Sequence, residues 1–263
     1  MIITGGWFLL IIGLSLYSLS GLVKRIFFGQ SLPSTTLVTI VLILCVGLEV
    51  FLIHNLQAQV ARYQAAWKIT STVQKDSFVY VALGDSAAQG IGASAVASGY
   101  VSIIAEQIRA QTHRPVTVIN LSKSGGRLQD VLTEQIPQLR SFKPDLVTVD
   151  IGSNNITAGT PDAVMDADYT TMIKQLSAYP TVFANLPDFM WGKQQRNTKN
   201  INKTILQASA DNKLILADLH RETMARMWSW NEFAADGFHP NNNGHKTWAR
   251  AFEPGVHQVI KNK

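Results

Sequence analysis

The stretch Phe78-Val-Tyr-Val-Ala-Leu-Gly84-Asp85-Ser86 decides how the chain folds. Its apolar run is continuous rather than alternating, which marks a strand buried on both faces, and it ends in a glycine and two polar residues suited to a tight turn. Similar runs recur toward the C-terminus. Residues 116–120, 146–151, 181–186 and 214–217 read as further strands, and 100–111, 128–140, 162–178, 193–210 and 241–260 read as helices. In the first of these helices Val101, Ile104, Ala105 and Ile108 share one face. Buried strands alternating with helices predict a five-stranded parallel sheet covered on both faces. Right-handed crossovers make it a three-layer α/β/α sandwich over residues 77–263.

In open parallel sheets ligands bind beyond the carboxyl ends of the strands, so the residues after each strand carry the functional reading. They are Gly84-Asp85-Ser86 after the first strand, Ser122-Lys-Ser-Gly125-Gly126 after the second, Gly152-Ser-Asn154-Asn155 after the third and Pro187-Asp188 after the fourth; Asp236-Gly-Phe-His239-Pro240 precedes the last helix. A serine hydroxyl is a weak nucleophile at neutral pH. It needs a base to take its proton and a third group to orient that base. Ser86 stands at a strand-to-loop turn. Asp236 and His239 share one short loop, so the carboxylate can hold one imidazole nitrogen while the other faces the serine. Attack on a carbonyl builds negative charge on its oxygen, and donors must already point there. Asn154 offers a side-chain amide, and Gly125 and Ser86 offer backbone N–H groups. Each residue also has a plainer reading: Ser86 as a helix cap, Asn154 and Asn155 as turn formers, Gly125-Gly126 as a bare loop, Asp236 and His239 as surface groups. Those readings must all hold independently at one sheet edge.

Four of these blocks together resemble the SGNH (GDSL) hydrolases, a family of serine esterases and lipases. Val81-Ala-Leu-Gly-Asp-Ser-Ala-Ala-Gln-Gly-Ile-Gly-Ala93 is similar to the family's first block, which implies Ser86 as nucleophile. Asn120-Leu-Ser-Lys-Ser-Gly125 is similar to the second and implies an oxyanion N–H on Gly125. Gly152-Ser-Asn-Asn155 is similar to the third, usually Gly-x-Asn-Asp, and implies Asn154 as an oxyanion donor. Asn155 stands where the family usually has Asp, a position expected to buttress the loop. Asp236-Gly-Phe-His-Pro240 is similar to the last block and implies Asp236 and His239 as the other triad members. The resemblance runs from about residue 78 onward. It implies a flavodoxin-like fold and a reaction that needs no cofactor.

Other signals are weaker. Gly90-Ile91-Gly92 lacks the third glycine of a dinucleotide loop. His239 and His245 have no cysteine or carboxylate cluster around them, so no metal site is expected. His54, His113, His220 and His257 read as surface residues. Trp228, Trp230 and Phe233, with Phe189, Met190 and Trp191, read either as core wall or as an apolar lip for an acyl chain. The lone Cys45 excludes an intrachain disulfide. The net charge of +5 is scattered, without a long basic run, and gives no reason to expect a nucleic-acid partner.

The first 55 residues are of another kind, with Lys24, Arg25 and Glu49 as their only charged side chains. Residues 2–23 carry no charge and span about 33 Å as a helix, against about 30 Å for a bilayer core. Residues 35–53 form a second apolar run, with Lys24, Arg25 and Pro33-Ser34 between the two. The reading is a transmembrane hairpin in residues 1–55, with Trp7 in an interface belt and Glu49 snorkelling to the headgroups. A signal peptide is disfavoured by the length of the first run and the absence of a basic start. Lys24 and Arg25 assign the short loop to the cytoplasm and both the N-terminus and the C-terminal domain to the outside. In the connector, 56–76, Val60, Tyr63, Ala66 and Trp67 recur at helical spacing, either as a stalk continuing the second helix or as a helix lying on the membrane.

The whole chain is thus expected to be a multi-pass, membrane-embedded serine esterase of the cell membrane, acting outside the cell on lipid, lysophospholipid or acylated-glycan esters through Ser86, His239 and Asp236. An acyltransferase using the same triad and an inactive binding module are the alternatives.

Overall fold

Strand β1 (Phe78–Gly84) is buried at every position, as a run with no polar side requires. In the computed structural model, which describes residues 33–69, 73–189, 192–225 and 230–263, β1 pairs in parallel with β2 (Val116–Asn120) on one side and β3 (Leu146–Asp150) on the other. Strands β4 (Thr181–Ala184) and β5 (Ile215–Ala217) complete a five-stranded sheet in the order β2-β1-β3-β4-β5. The order reverses between β1 and β3, and the carboxyl ends of these two strands flank the crevice where such sheets take ligands. The register puts Gly84 opposite Asp150, so both strands end at the same level.

Nine helices lie among the described residues: α1 (Pro33–Ile69), α2 (Ser86–Gln89), α3 (Tyr100–Thr112), α4 (Leu128–Asp130), α5 (Ser153–Thr157), α6 (Asp162–Leu176), α7 (Gly192–Asp211), α8 (Leu219–Met224) and α9 (Asn242–Lys261). On one face of the sheet Val81, Val149 and Phe183 pack with Met172 and Ile173 of α6 and Ile201 and Ile205 of α7. On the other face Tyr80, Ala82 and Val182 pack with Ile104 and Ile108 of α3 and Phe252 and Val256 of α9. Side chains that alternate along each strand feed opposite cores, which gives the expected three layers.

Two glycines let the strand ends pass close to their neighbours. Gly84 has φ +148, and a Cβ there would lie 2.3 Å from the Asp150 carbonyl oxygen. Gly152 has φ +114, and a Cβ there would lie 1.9 Å from the Tyr169 hydroxyl oxygen, which itself donates to the Ile151 carbonyl. Both positions combine a left-handed backbone with no room for a side chain.

The structure departs from the sequence reading over residues 128–140. Residues 128–140, expected as one helix, are the short α4, a π turn over Val131–Gln135 and a 3-10 segment over Ile136–Ser141. Pro137 has no N–H to give, and its ring crowds the carbonyl four residues earlier, which disfavours a regular α-helical turn at this point, although α9 carries Pro254 within its length. The second apolar run and the connector as far as Ile69 are one unbroken helix, α1, of 37 residues, in line with the stalk reading rather than a separate helix lying on the membrane. Its N-terminal part exposes Ile43, Leu44, Leu48 and Phe51, each at least 58% accessible, whereas Tyr63 and Trp67 are buried. The portion Leu42–Lys68 is long and apolar enough to cross a membrane. The expected first helix at 2–23, with Trp7, Lys24 and Arg25, lies outside the described residues, as do Met190, Trp191 and Trp228.

Candidate active site

β1 delivers Gly84, Asp85 and Ser86 to the crevice. Asp85 caps α2 by accepting the Ala87 N–H at 3.0 Å, so Ser86 opens the first helical turn, where backbone donors have no partner within the helix. A loop over residues 233–240, closed by an antiparallel bridge between Phe233 and Pro240 and by the Ala234 N–H on the His239 carbonyl at 2.8 Å, brings in the other two groups. His239 Nε2 lies 2.8 Å from Ser86 Oγ. His239 Nδ1 lies 2.6 Å from Asp236 Oδ2. The second carboxylate oxygen, Oδ1, accepts the Phe238 and His239 N–H groups at 3.0 Å each.

This arrangement fixes a tautomer. Asp236 accepts from Nδ1, which leaves the Nε2 lone pair directed at the Ser86 hydroxyl. Burial would raise the Asp236 carboxyl, but the hydrogen bond and charge of His239 and the two backbone N–H groups outweigh it and hold the carboxyl below its ordinary value.

The expected oxyanion donors occupy the rim of the same crevice. Gly125 is exposed at φ +74, and its N–H makes no hydrogen bond among the described residues. Asn154, in α5, has its amide engaged: Nδ2 donates to the Gly126 carbonyl at 2.9 Å and to Asp85 Oδ2 at 3.3 Å. The side chain therefore ties three strand ends together, and donation to an oxyanion means giving up the longer contact to Asp85. Asn155 is buried, and its Oδ1 accepts the Leu128 N–H at 3.1 Å, a bond an uncharged amide makes as readily as a carboxylate.

Several supporting residues escaped the sequence reading. Gln135, carried inward by the π turn, brackets Gly84, accepting its N–H and donating to its carbonyl at 2.9 Å each. Gln89 donates to the Ser122 carbonyl at 3.0 Å and accepts from Ser124 Oγ, fastening α2 to the loop that carries Gly125. Asp150 accepts the Trp248 indole N–H at 3.0 Å beneath the crevice. Burial, and then the charge of Asp150, push the Asp85 carboxyl well above the ordinary range. The visible signal was a carboxylate closing an otherwise buried strand. His245 is fully buried: its Nδ1 accepts the Tyr100 N–H at 3.3 Å and its Nε2 lies 3.2 Å from the Ile91 carbonyl. Burial lowers its pKa to about 4, so it is neutral. His220 is half-buried rather than on the surface. Phe189 packs against the core, which favours the wall over the lip. Among the described residues no group of three or more His, Cys, Asp or Glu side chains is placed to hold a metal.

Residues 82–247, which include Ser86, Gly125, Asn154, Asp236 and His239, match the model of the GDSL-like lipase/acylhydrolase family. The chain belongs to that family. It is accordingly a GDSL-type serine hydrolase of carboxylic esters. No curated protein matches the sequence. Solved structures share the fold of this GDSL domain. A psychrotrophic esterase, EstA from Pseudoalteromonas sp., is 20% identical with a TM-score of 0.58, over 70% of this chain and 100% of that one. An acetylxylan esterase from Geobacillus stearothermophilus is 18% identical with a TM-score of 0.56, over 70% and 96%. An α/β hydrolase from the Lake Arreo metagenome is 19% identical with a TM-score of 0.57, over 72% and 99%.

Proposed function

We propose that the protein hydrolyses carboxylic esters through a Ser86 acyl-enzyme. The observation that carries this reading is the continuous hydrogen-bonded chain from Ser86 through His239 to Asp236. Ser86 Oγ attacks the ester carbonyl carbon as His239 Nε2 takes its proton. The oxyanion is held by the Ser86 and Gly125 N–H groups and by Asn154, and Asp236 balances the imidazolium. The alcohol departs with the proton from Nε2. Water then repeats the sequence on the acyl group, returning the proton to Ser86 and releasing the acid.

The substrates are esters of lipids, lysophospholipids or acylated glycans. The exposed apolar part of α1 supports a membrane anchor and hence esters at a lipid surface. The likeness in fold to an acetylxylan esterase keeps short acyl groups in the set. A panel of aryl esters from acetate to palmitate tests both. Turnover with a single chain-length optimum is expected, and no release above the uncatalysed rate from any of them overturns the reading. The anchor is proposed as a two-helix hairpin with the hydrolase domain outside the cell. Protease added to intact cells should then digest the domain, whereas protection until lysis reverses the orientation.

A further inference from the structure

The C-terminal half of α1 is fastened to the segment that follows the nucleophile. Gln59, Tyr63 and Trp67 recur every four residues and so share one face of the helix. Gln59 Oε1 accepts the Gly92 N–H at 3.1 Å. The Tyr63 hydroxyl donates to the Ala93 carbonyl at 2.8 Å, and the Trp67 indole N–H donates to the Gln89 carbonyl at 3.0 Å. Both rings are 7% exposed, and the Tyr63 ring lies over Gly90, whose own Cα is tight against Gly99.

Every backbone group gripped in this way belongs to a part that bears on the reacting atoms. Gln89 ends α2, the helix that Ser86 begins, and its side chain holds the loop carrying Gly125 at Ser122 and Ser124. Gly92, at φ +94, is so close to the triad loop that a Cβ would lie 2.3 Å from the Pro240 carbonyl oxygen and 3.1 Å from His239 Cβ. The Ile91 N–H returns to the Ser86 carbonyl at 3.0 Å. Residues 89–93 are therefore a short strap with the serine on one side and the histidine loop on the other, and α1 presses on its outer surface.

We infer that Gln59, Tyr63 and Trp67 of the anchor helix are positioning residues for the active site, holding the 89–93 strap so that Ser86 and His239 keep their alignment. The inference rests on the serine-hydrolase reading for its kinetic consequence and on the strap's geometry alone for its structural one. Misplacing a reacting group by a fraction of an ångström lowers the chemical step without weakening the binding of a small substrate. The variants Gln59→Ala, Tyr63→Phe and Trp67→Ala, in the full chain in detergent micelles, should lower kcat on a short aryl ester by about ten-fold while KM stays within about two-fold. Fluorophosphonate labelling of Ser86 should slow in proportion, and the amide of Gly92 should exchange its hydrogen faster than in the wild type. Tyr63→Phe keeps the ring and removes only the hydroxyl, so it remains informative if Trp67→Ala does not fold. Wild-type kcat in folded variants, or Gly92 exchange no faster than wild type, overturns the inference. Failure of the wild-type protein itself to label refutes the serine-hydrolase reading instead, and the exchange measurement still decides the strap.

Discussion

Ser86→Ala is expected to lower kcat by about 10⁶-fold, the loss found when a triad serine is removed while the rest of the site stays in place. Among the described residues the hydroxyl hydrogen-bonds with His239 Nε2, at 2.8 Å. The backbone around it is held by other groups: Asp85 caps α2, Gln135 accepts the Gly84 N–H at the end of β1, and Gln89 ties the far end of α2 to the Ser122 carbonyl. Deleting one oxygen atom therefore leaves a folded protein with an idle imidazole. Residual catalysis from the oxyanion donors should remain above the rate in water. Steady-state hydrolysis of an aryl ester, together with loss of fluorophosphonate labelling, checks this. Turnover near the wild-type rate would remove Ser86 from the mechanism.

Asp236→Asn is expected to lower kcat by about 10⁴-fold for a different reason. The carboxylate uses Oδ1 for two backbone N–H groups and Oδ2 for His239 Nδ1. An asparagine keeps its oxygen on the backbone donors, so its NH₂ faces Nδ1. The imidazole must then accept at Nδ1 and carry its proton on Nε2, where it donates to Ser86 instead of taking the proton from it. The base is lost although the geometry survives. The pH profile adds a second check. The folded carboxyl is held below its ordinary value, so its contribution to stability is complete above the unfolded pKa of about 3.9 and disappears as pH falls through the folded value. The stability gap between wild type and variant should accordingly close on acidification through that range. A gap that instead widens, or a variant with wild-type kcat, contradicts the assigned role.

The parts legible in the sequence were those written in uninterrupted patterns. Strands buried on both faces announce themselves as apolar runs, and their ends differ from the expected ones by one or two residues, as at 181–186 against Thr181–Ala184. The turn residues Gly84, Gly125 and Gly152 were legible because chemistry and backbone demand the same amino acid there. What stayed hidden were polar side chains turned inward. Gln89 and Gln135 look like ordinary solvated helix positions, and only the fold reveals that each satisfies main-chain groups across the crevice. Pro137 sits among apolar positions, Leu128, Val131, Leu132, Ile136 and Leu139, that keep helical spacing, so the pattern hides the break. The junction between α1 and the domain was hidden for the opposite reason. Tyr63 and Trp67 fit a stalk as well as they fit a docked helix, and periodicity says nothing about what a face touches.

Helix α1 runs from Pro33 to Ile69 without an internal proline, and its far end is bolted to the domain. Between Phe51, an exposed apolar residue of the N-terminal part, and Gln59, the first gripping residue, a helix rises roughly 12 Å. Such a rod works as a ruler. With the proposed membrane anchor, the stand-off of Ser86 from the bilayer would be set by a count of residues rather than by a tether's wandering, and the enzyme would sort its esters by how far their carbonyls protrude.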